Sequence, residues 1–459
     1  MTDNKRENFG SKIGATLAAA GSAVGLGNIW RFPIETGQNG GAAFIVVYIA
    51  CILLMGIPIM ISEFIIGRRT QANTAAAYRI LAPSTQWRWV GRLGVLSGFV
   101  ILSYYSVVAG WTAEYTLLAI ANSFEGKTTA DFPVIFAEFV SNPWKSVFWM
   151  FAFMIVTHII VVRGIKSGIE KFSKLMMPAL FIIMVVLAAC SVTLPGASQG
   201  LEFVLKPDFS KITGSTILSA MGQAFFSLSL GLGCLCTYAS YFNKETNIGK
   251  TALSVSVIDT MVAILSCFII FPTVFNAGYT LNSNDIGPSL LFITMPNIFG
   301  QAFGNIPALA YAVSVLFYFL LVLAALTSTI SMHEVVTAYV NEEFGMTRRK
   351  AATIVTIACT TVGVICALSF GPFEDVKIFD MTIFDLFDYV SSNIMLPVGG
   401  MFIALFTGWY LDKRIVKEEI TNYGLLRAPY LRLIVFILKY VAPIAIACIL
   451  LGQFGVFGL

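Results

Sequence analysis

Two apolar segments of this chain are interrupted at the same punctuation. Residues 13-36 read IGATLAAAGSAVGLGNIWRFPIET and residues 215-242 read STILSAMGQAFFSLSLGLGCLCTYASYF. Each holds Gly-Leu-Gly near its centre, as Gly25-Leu26-Gly27 and as Gly231-Leu232-Gly233. A glycine weakens a helix by about 1 kcal/mol relative to alanine. In hydrocarbon, a peptide group freed from its helical bond persists only where protein or a wet cavity satisfies it. The paired interruptions therefore predict two broken membrane helices with a binding site between them near mid-bilayer.

The solvent follows from composition, because 57% of the residues are apolar and only 12% charged, against about 25% charged in soluble domains. Runs of roughly 20 apolar residues, enough to span a bilayer, fall near 13-36, 41-67, 89-122, 146-162, 169-193, 215-242, 250-276, 305-340, 350-368, 383-411 and 433-457. This predicts an all-α polytopic membrane protein of eleven spans, built as one integral domain over 1-459. The first run contains Asn28, Arg31 and Pro33 and follows a charged start, so it reads as a working helix and not as a signal peptide. Stretches near 133-145 and 285-303 read as short helices on the outer face, the second broken by Pro288 and Pro296. With the N-terminus inside, the inner loops carry 22 Lys and Arg and the outer loops five. That asymmetry predicts a cytoplasmic N-terminus and an external C-terminus; the expected location is the cell (inner) membrane.

The small net charge of +4 reflects this loop bias and gives no reason to expect a nucleic-acid partner. The eight cysteines lack metal-type spacing and read as small packing residues. With only His158 and His333, and no GxSxG elbow, an intramembrane hydrolase is poorly supported and no catalytic residue is assigned. Ionisable groups inside spans default to functional hypotheses. Arg31, Glu63 and Asp388 are such groups, whereas His158, Asp259, His333 and Glu334 are expected to reach the headgroups from span ends.

AAAGSAVGLGNIWRFP followed by GQNGGAAF, and later GQAFFSLSLGLGCLCTYASY, resemble the neurotransmitter:sodium symporter family with its bacterial LeuT-like amino-acid transporters. The resemblance runs from about residue 5 to the tenth span. It implies a LeuT-like 5+5 inverted repeat with helices 1 and 6 broken. The halves would be 13-193 and 215-411, with 433-457 an additional helix.

Residue by residue, the resemblance places a first sodium at the Ala23 carbonyl, Asn28, Ser227, Asn276 and the substrate carboxylate. A second would take the carbonyls of Gly21, Val24 and Ala324 with the hydroxyls of Thr327 and Ser328. Neutral oxygens suit a hard cation. The substrate carboxylate would meet the amides of Leu26 and Gly27 and the Tyr105 hydroxyl, and its ammonium the carbonyls of Ala23, Phe226 and Ser229. Ile101, Phe226, Leu232, Ser328 and Met332 would surround the side chain. Monoamine carriers of the family place an acid at the position of Gly25; its absence here implies an α-amino acid, hydrophobic and either aliphatic or aromatic.

The resemblance also supplies gates. Arg31 with Asp388 looks like the outer charged pair, above a lid of Tyr105 and Phe226. Arg6, Tyr241 and Glu342 look like the inner network, with Phe9 where tryptophan is usual, and Gly168 and Pro178 match a fifth-helix unwinding motif. Two features depart from the pattern. The chain ends after the eleventh span where many members have twelve, leaving monomer or weak homodimer open. Thr280 stands where bacterial members carry an acid, so Tyr48, Gln223, Ser227, Asn276 and Thr280 resemble a chloride site, unless Asp285 supplies the carboxylate. The expected activity is sodium-coupled import of a hydrophobic L-amino acid by alternating access, with chloride stimulation as an expectation. A proton-coupled or exchange-type transporter and a non-transporting amino-acid receptor remain the alternatives.

Overall fold

The computed structural model describes residues 7–278 and 290–453. The chain opens with α1 (Lys12–Ala23) and α2 (Gly27–Gln38), which meet at 57°. There follow α3 (Ala42–Thr70), α4 (Thr74–Leu81), α5 (Arg88–Ile120), α6 (Asp131–Ser141), α7 (Pro143–Val162), α8 (Ile165–Val192) and α9 (Ala197–Leu205). The second interrupted segment gives α10 (Gly214–Ser227) and α11 (Cys234–Ala239). The remainder forms α12 (Ile248–Asn276), α13 (Leu290–Phe303), α14 (Pro307–Glu343), α15 (Arg348–Leu368), α16 (Ile383–Tyr410), α17 (Lys413–Ile420) and α18 (Leu431–Gln453).

Among the described residues, nine helices are long and apolar enough to cross a membrane, and α1 with α2 makes a tenth crossing. The sixth expected span falls short of that length because its break leaves pieces of 14 and 6 residues. Of the two expected outer helices, the first is α6, but Pro143 and Lys145 already belong to the next span, since Asn142 caps α7 by accepting from the Lys145 amide. The second is α13, a short apolar helix; Pro288 lies outside the described residues. An aromatic cluster seats α13, with the Phe292 ring 4.8 Å from Tyr115 and 5.8 Å from Trp111. Tyr318 of α14 donates to the Leu291 carbonyl at 2.9 Å.

Both breaks have local causes. Ser11 caps α1 by accepting from the Gly14 amide, and the helix ends as Val24 turns extended, ψ 115°. Past Leu26 the chain resumes in a wide π-type turn over Gly27–Arg31, and Pro33 then sits in the first regular turn, where no donor is needed. In the second break Ser229, Gly231 and Gly233 take φ of 52°, 84° and 79°. At Gly231 any Cβ would also run into the Leu396 carbonyl and the Gly400 amide of α16, so only glycine fits. The freed amides do not go unpaired. Glu63 of α3, fully buried, accepts from Gly231 N at 2.9 Å and Cys236 N at 3.2 Å. One carboxylate thus bridges the gap in the sixth span.

Candidate functional site

The two breaks face each other across a cavity of about 60 Å³. Its lining includes all of the expected substrate residues: Ala23, Gly25, Leu26, Gly27, Ile101, Tyr105, Phe226, Ser229, Leu232, Ser328 and Met332. Ser22, Asn28, Tyr104, Ser227, Ser331 and Leu396 join them. One pole is backbone and hydroxyl: the Leu26 amide donates to the Tyr105 hydroxyl at 3.3 Å, and Ser229 Oγ donates to the Ser22 carbonyl at 3.0 Å. The other pole is Ile101, Phe226, Leu232 and Met332. At Gly25 a Cβ would stand 2.6 Å from Ser328 Oγ, which would have to turn away, and in ordinary contact with the Tyr105 hydroxyl at 3.5 Å.

Beside this cavity three side chains close around one carboxylate. Asn28 Nδ2 donates to Ser227 Oγ at 2.9 Å and to Asp259 Oδ1 at 2.8 Å. Ser227 Oγ donates to Asp259 Oδ2 at 2.8 Å, and the Tyr48 hydroxyl donates to the same oxygen at 3.2 Å. Asp259 is fully buried, which corrects the expectation that it reaches the headgroups. It lies 11 residues into α12, so the helical rise of about 1.5 Å per residue carries it some 17 Å inward, beyond snorkelling reach for a short side chain.

Asn276, expected as a sodium ligand, is the last residue of α12, roughly 25 Å further along the same helix. Its Oδ1 accepts from the Gly196 amide at 2.9 Å, and it takes no part in the Asn28 cluster. The reason is register, since Asn276 and Asp259 share a helix 17 residues apart. The set drawn for chloride divides accordingly. Tyr48 and Ser227 bind Asp259, Gln223 Nε2 donates to the Gly27 carbonyl at 3.5 Å, and Thr280 and Asp285 lie outside the described residues.

A second cluster of neutral oxygens joins α1 to α14. Thr327 Oγ1 and Ser328 Oγ each donate to the Val24 carbonyl at 3.3 Å. Thr327 also back-bonds to Ala324 O at 3.0 Å, and a Cβ at Gly21 would lie 3.4 Å from Thr327 Cβ. The five residues expected for the second sodium therefore adjoin one another; both hydroxyls reach across to the other helix, and Thr327 also bonds back along its own. Neutral carbonyl and hydroxyl oxygens are the donor set for a hard monovalent cation. Among the described residues, no cluster of three His, Cys, Asp or Glu that could hold a metal ion occurs.

The expected outer pair is apart in this conformation. Arg31 Nε lies 3.8 Å from Glu35 Oε1, with its guanidinium 4.6 Å above the Phe226 ring. Asp388 Oδ1 instead accepts from the Tyr104 hydroxyl at 2.9 Å and Ser392 Oγ at 3.1 Å. Between them lies a vestibule of about 270 Å³, with Tyr105 and Phe226 in its floor. Arg31 and Glu35 are one helical turn apart, so the local pair forms without any movement of α16.

At the opposite, basic end the helices are tied together. Tyr241 donates to Glu334 Oε1 at 2.7 Å, and Arg348 holds both Glu334 oxygens, at 3.0 and 2.5 Å. Glu334 is fully buried, not at the headgroups as expected, because a paired carboxylate tolerates burial. His333 is buried too, between Thr356 and Thr337 hydroxyls at 2.8 and 2.9 Å, and His158 meets Thr356 at 2.8 Å. Glu342 accepts from the Asn73 amide and side chain at 2.7 and 3.0 Å; Arg6 lies outside the described residues. Phe9 is buried edge-on against Tyr238 and Tyr241 with centroids 6.0 and 6.2 Å away, so this smaller ring still fills its seat. Glu170 clamps the start of α1 to α8, accepting from Gly10 N at 2.6 Å and Ser11 Oγ at 2.9 Å. In α8, Gly168 sits in a wide turn over Ile165–Glu170, and Pro178 lies inside the regular helix that follows.

Comparison with known proteins agrees with this architecture. The model of the sodium:neurotransmitter symporter family matches residues 6–130 and 138–457. An uncharacterized sodium-dependent transporter of Bacillus subtilis, YhdH, is 37% identical over 99% of both chains. A sodium-dependent transporter of Methanocaldococcus jannaschii, MJ1319, is 31% identical over 92% of this chain and 85% of its own. The crystal structure of MhsT in complex with L-phenylalanine superposes with a TM-score of 0.87 at 41% identity, covering 97% of this chain and 99% of that one. With the family model spanning almost the whole chain and both helix breaks in place, this protein belongs to the sodium:neurotransmitter symporter family, a sodium-dependent membrane transporter with a LeuT-like fold and not an enzyme.

Proposed function

We propose that this transporter imports a hydrophobic L-amino acid together with sodium, with its basic end toward the cytoplasm. The observation that carries the reading is the Gly25 contact. Glycine at position 25, where a Cβ would already meet the Ser328 hydroxyl at 2.6 Å, brings no acid into the cavity, and none of the residues lining it is acidic. The substrate must bring one to the Leu26 and Gly27 amides, where a helix N-terminus favours negative charge. Ile101, Phe226, Leu232 and Met332 then receive an apolar side chain, and methionine adapts to branched or aromatic shapes. The structurally similar MhsT was crystallised with L-phenylalanine, which supports the same class here.

Asp259 supports a change to the chloride expectation. A fixed carboxylate already receives the Tyr48 and Ser227 hydroxyls, so it supplies the negative charge that a bound anion would otherwise bring beside the first sodium. We therefore propose that the first sodium is held by the Ala23 carbonyl, Asn28, Ser227 and Asp259, completed by the substrate carboxylate. The second is held by Gly21, Val24, Ala324, Thr327 and Ser328. Shared ligation makes each ligand raise the other's affinity by the same factor.

The test is uptake into proteoliposomes from a panel of amino acids. Accumulation of apolar amino acids that requires an inward sodium gradient is expected, and equal accumulation without sodium would overturn coupling. Chloride replaced by gluconate is expected to leave the rate unchanged; a severalfold drop would return chloride to the mechanism.

A further inference from the structure

We infer that the groove between the start of α5 and the middle of α16 is a seat for one anionic diacyl phospholipid of the leaflet at the basic end. The groove, about 650 Å³, is walled by Trp87, Val90, Leu93, Leu96 and Phe402, with Trp89 and Arg92 at its mouth. Trp87 is wedged edge-on against Phe406, 5.2 Å away, and Phe402, 6.4 Å away, which fixes one wall. Trp89, Leu96 and Phe402 remain 54%, 52% and 37% exposed, so the interior is open to the bilayer.

The charge at its mouth is built and has no close partner, since Arg92 feels Glu343 only from beyond ion-pair distance. Arg92 lies 4.8 Å and Arg88 5.8 Å from the Trp89 ring centroid, both within cation–π range. The indole is itself oriented by donating to Gln86 Oε1 at 2.9 Å. Among the described residues neither arginine has a carboxylate within 4.0 Å, while neighbouring Arg79 is paired to Glu343 at 2.8 Å. A guanidinium stacked on a ring keeps its N–H edge free for a phosphate oxygen.

The order of groups along α5 matches a phospholipid read from its head. Arg88 and Trp89 come first, then Arg92, and Leu96 lies roughly 12 Å beyond Arg88 at the helical rise. Tryptophan belongs at the headgroup level, and basic pockets between helices take anionic heads. A second copy of this chain would bring the same two cations to the same place, which repulsion disfavours. An anionic headgroup with two acyl chains satisfies the mouth and the groove together.

The test uses the purified transporter in nanodiscs of dibrominated phosphatidylcholine or dibrominated phosphatidylglycerol, at equal bromine content, with tryptophan quenching as readout. The glycerol lipid is expected to quench more strongly, and competition between the two lipids should give a roughly thirtyfold preference for it if two arginines contribute. Trp89→Phe should remove most of the excess quenching, and the double variant Arg88→Gln/Arg92→Gln should abolish the preference. Sodium-dependent substrate binding by the double variant confirms that it is folded, since neither arginine lines the substrate cavity; if it fails, the single variants Arg88→Gln and Arg92→Gln carry the comparison, each expected to lower the preference about fivefold. Equal quenching by the two lipids, or an excess that survives loss of both arginines, overturns the proposal.

Discussion

Asp259→Ala is expected to raise the sodium concentration for half-maximal substrate binding by roughly a hundredfold. Removing the carboxylate strips the buried cluster of its only charged member and leaves the Tyr48 and Ser227 hydroxyls and the Asn28 amide without their shared acceptor. Hydrogen bonds to a charged group contribute about 1.5–3 kcal/mol each, and 2.7 kcal/mol is a hundredfold. If the cluster and the substrate share one cation, apparent substrate affinity at fixed sodium falls with it. Asn28→Ala should move both quantities in the same direction but less, because the charge stays. Sodium titrations of substrate binding in detergent read both effects. A sodium requirement unchanged by Asp259→Ala would remove that residue from the cation's shell.

Glu63→Leu is expected to be the most damaging single change to stability. Its carboxylate accepts from Gly231 N and Cys236 N, so the variant leaves two buried amides at the break without their acceptor. Each unsatisfied buried donor costs about 1–3 kcal/mol, and a sum near 4 kcal/mol approaches the whole margin of a typical domain. Glu63→Gln retains an acceptor oxygen and should fall between. Thermal unfolding in detergent, with and without sodium and substrate, should rank wild type above glutamine above leucine. A leucine variant as stable as wild type would mean that the break is held by something else.

The helix interruptions were legible because glycine states its preference locally, at Gly25 and Gly231 alike. The substrate cavity was legible through the motifs around those glycines. Asp259 was not recognised for a different reason: its type suggested a headgroup anchor, although nine residues into the expected 250-276 run already meant depth. Asn276 has a suitable residue type for a cation ligand, but it ends the helix 17 residues beyond Asp259, far from the part that reaches the first break. Glu63 was visible as an ionisable group in a span, but its partners are 168 and 173 residues away, and no local pattern reports such a distance. The Arg31–Glu35 pair is readable from its i,i+4 spacing, whereas the family resemblance implies Asp388 as the partner.

That local pair bears on how hard the external door is to shut. If shutting pairs Arg31 with Asp388, as the family resemblance implies, it moves the guanidinium from Glu35 to another carboxylate at partly wet positions, so the net electrostatic change is small. A hinge so nearly balanced has little preference of its own, and even the modest differential affinity of cations and cargo for the shut form suffices to tip it.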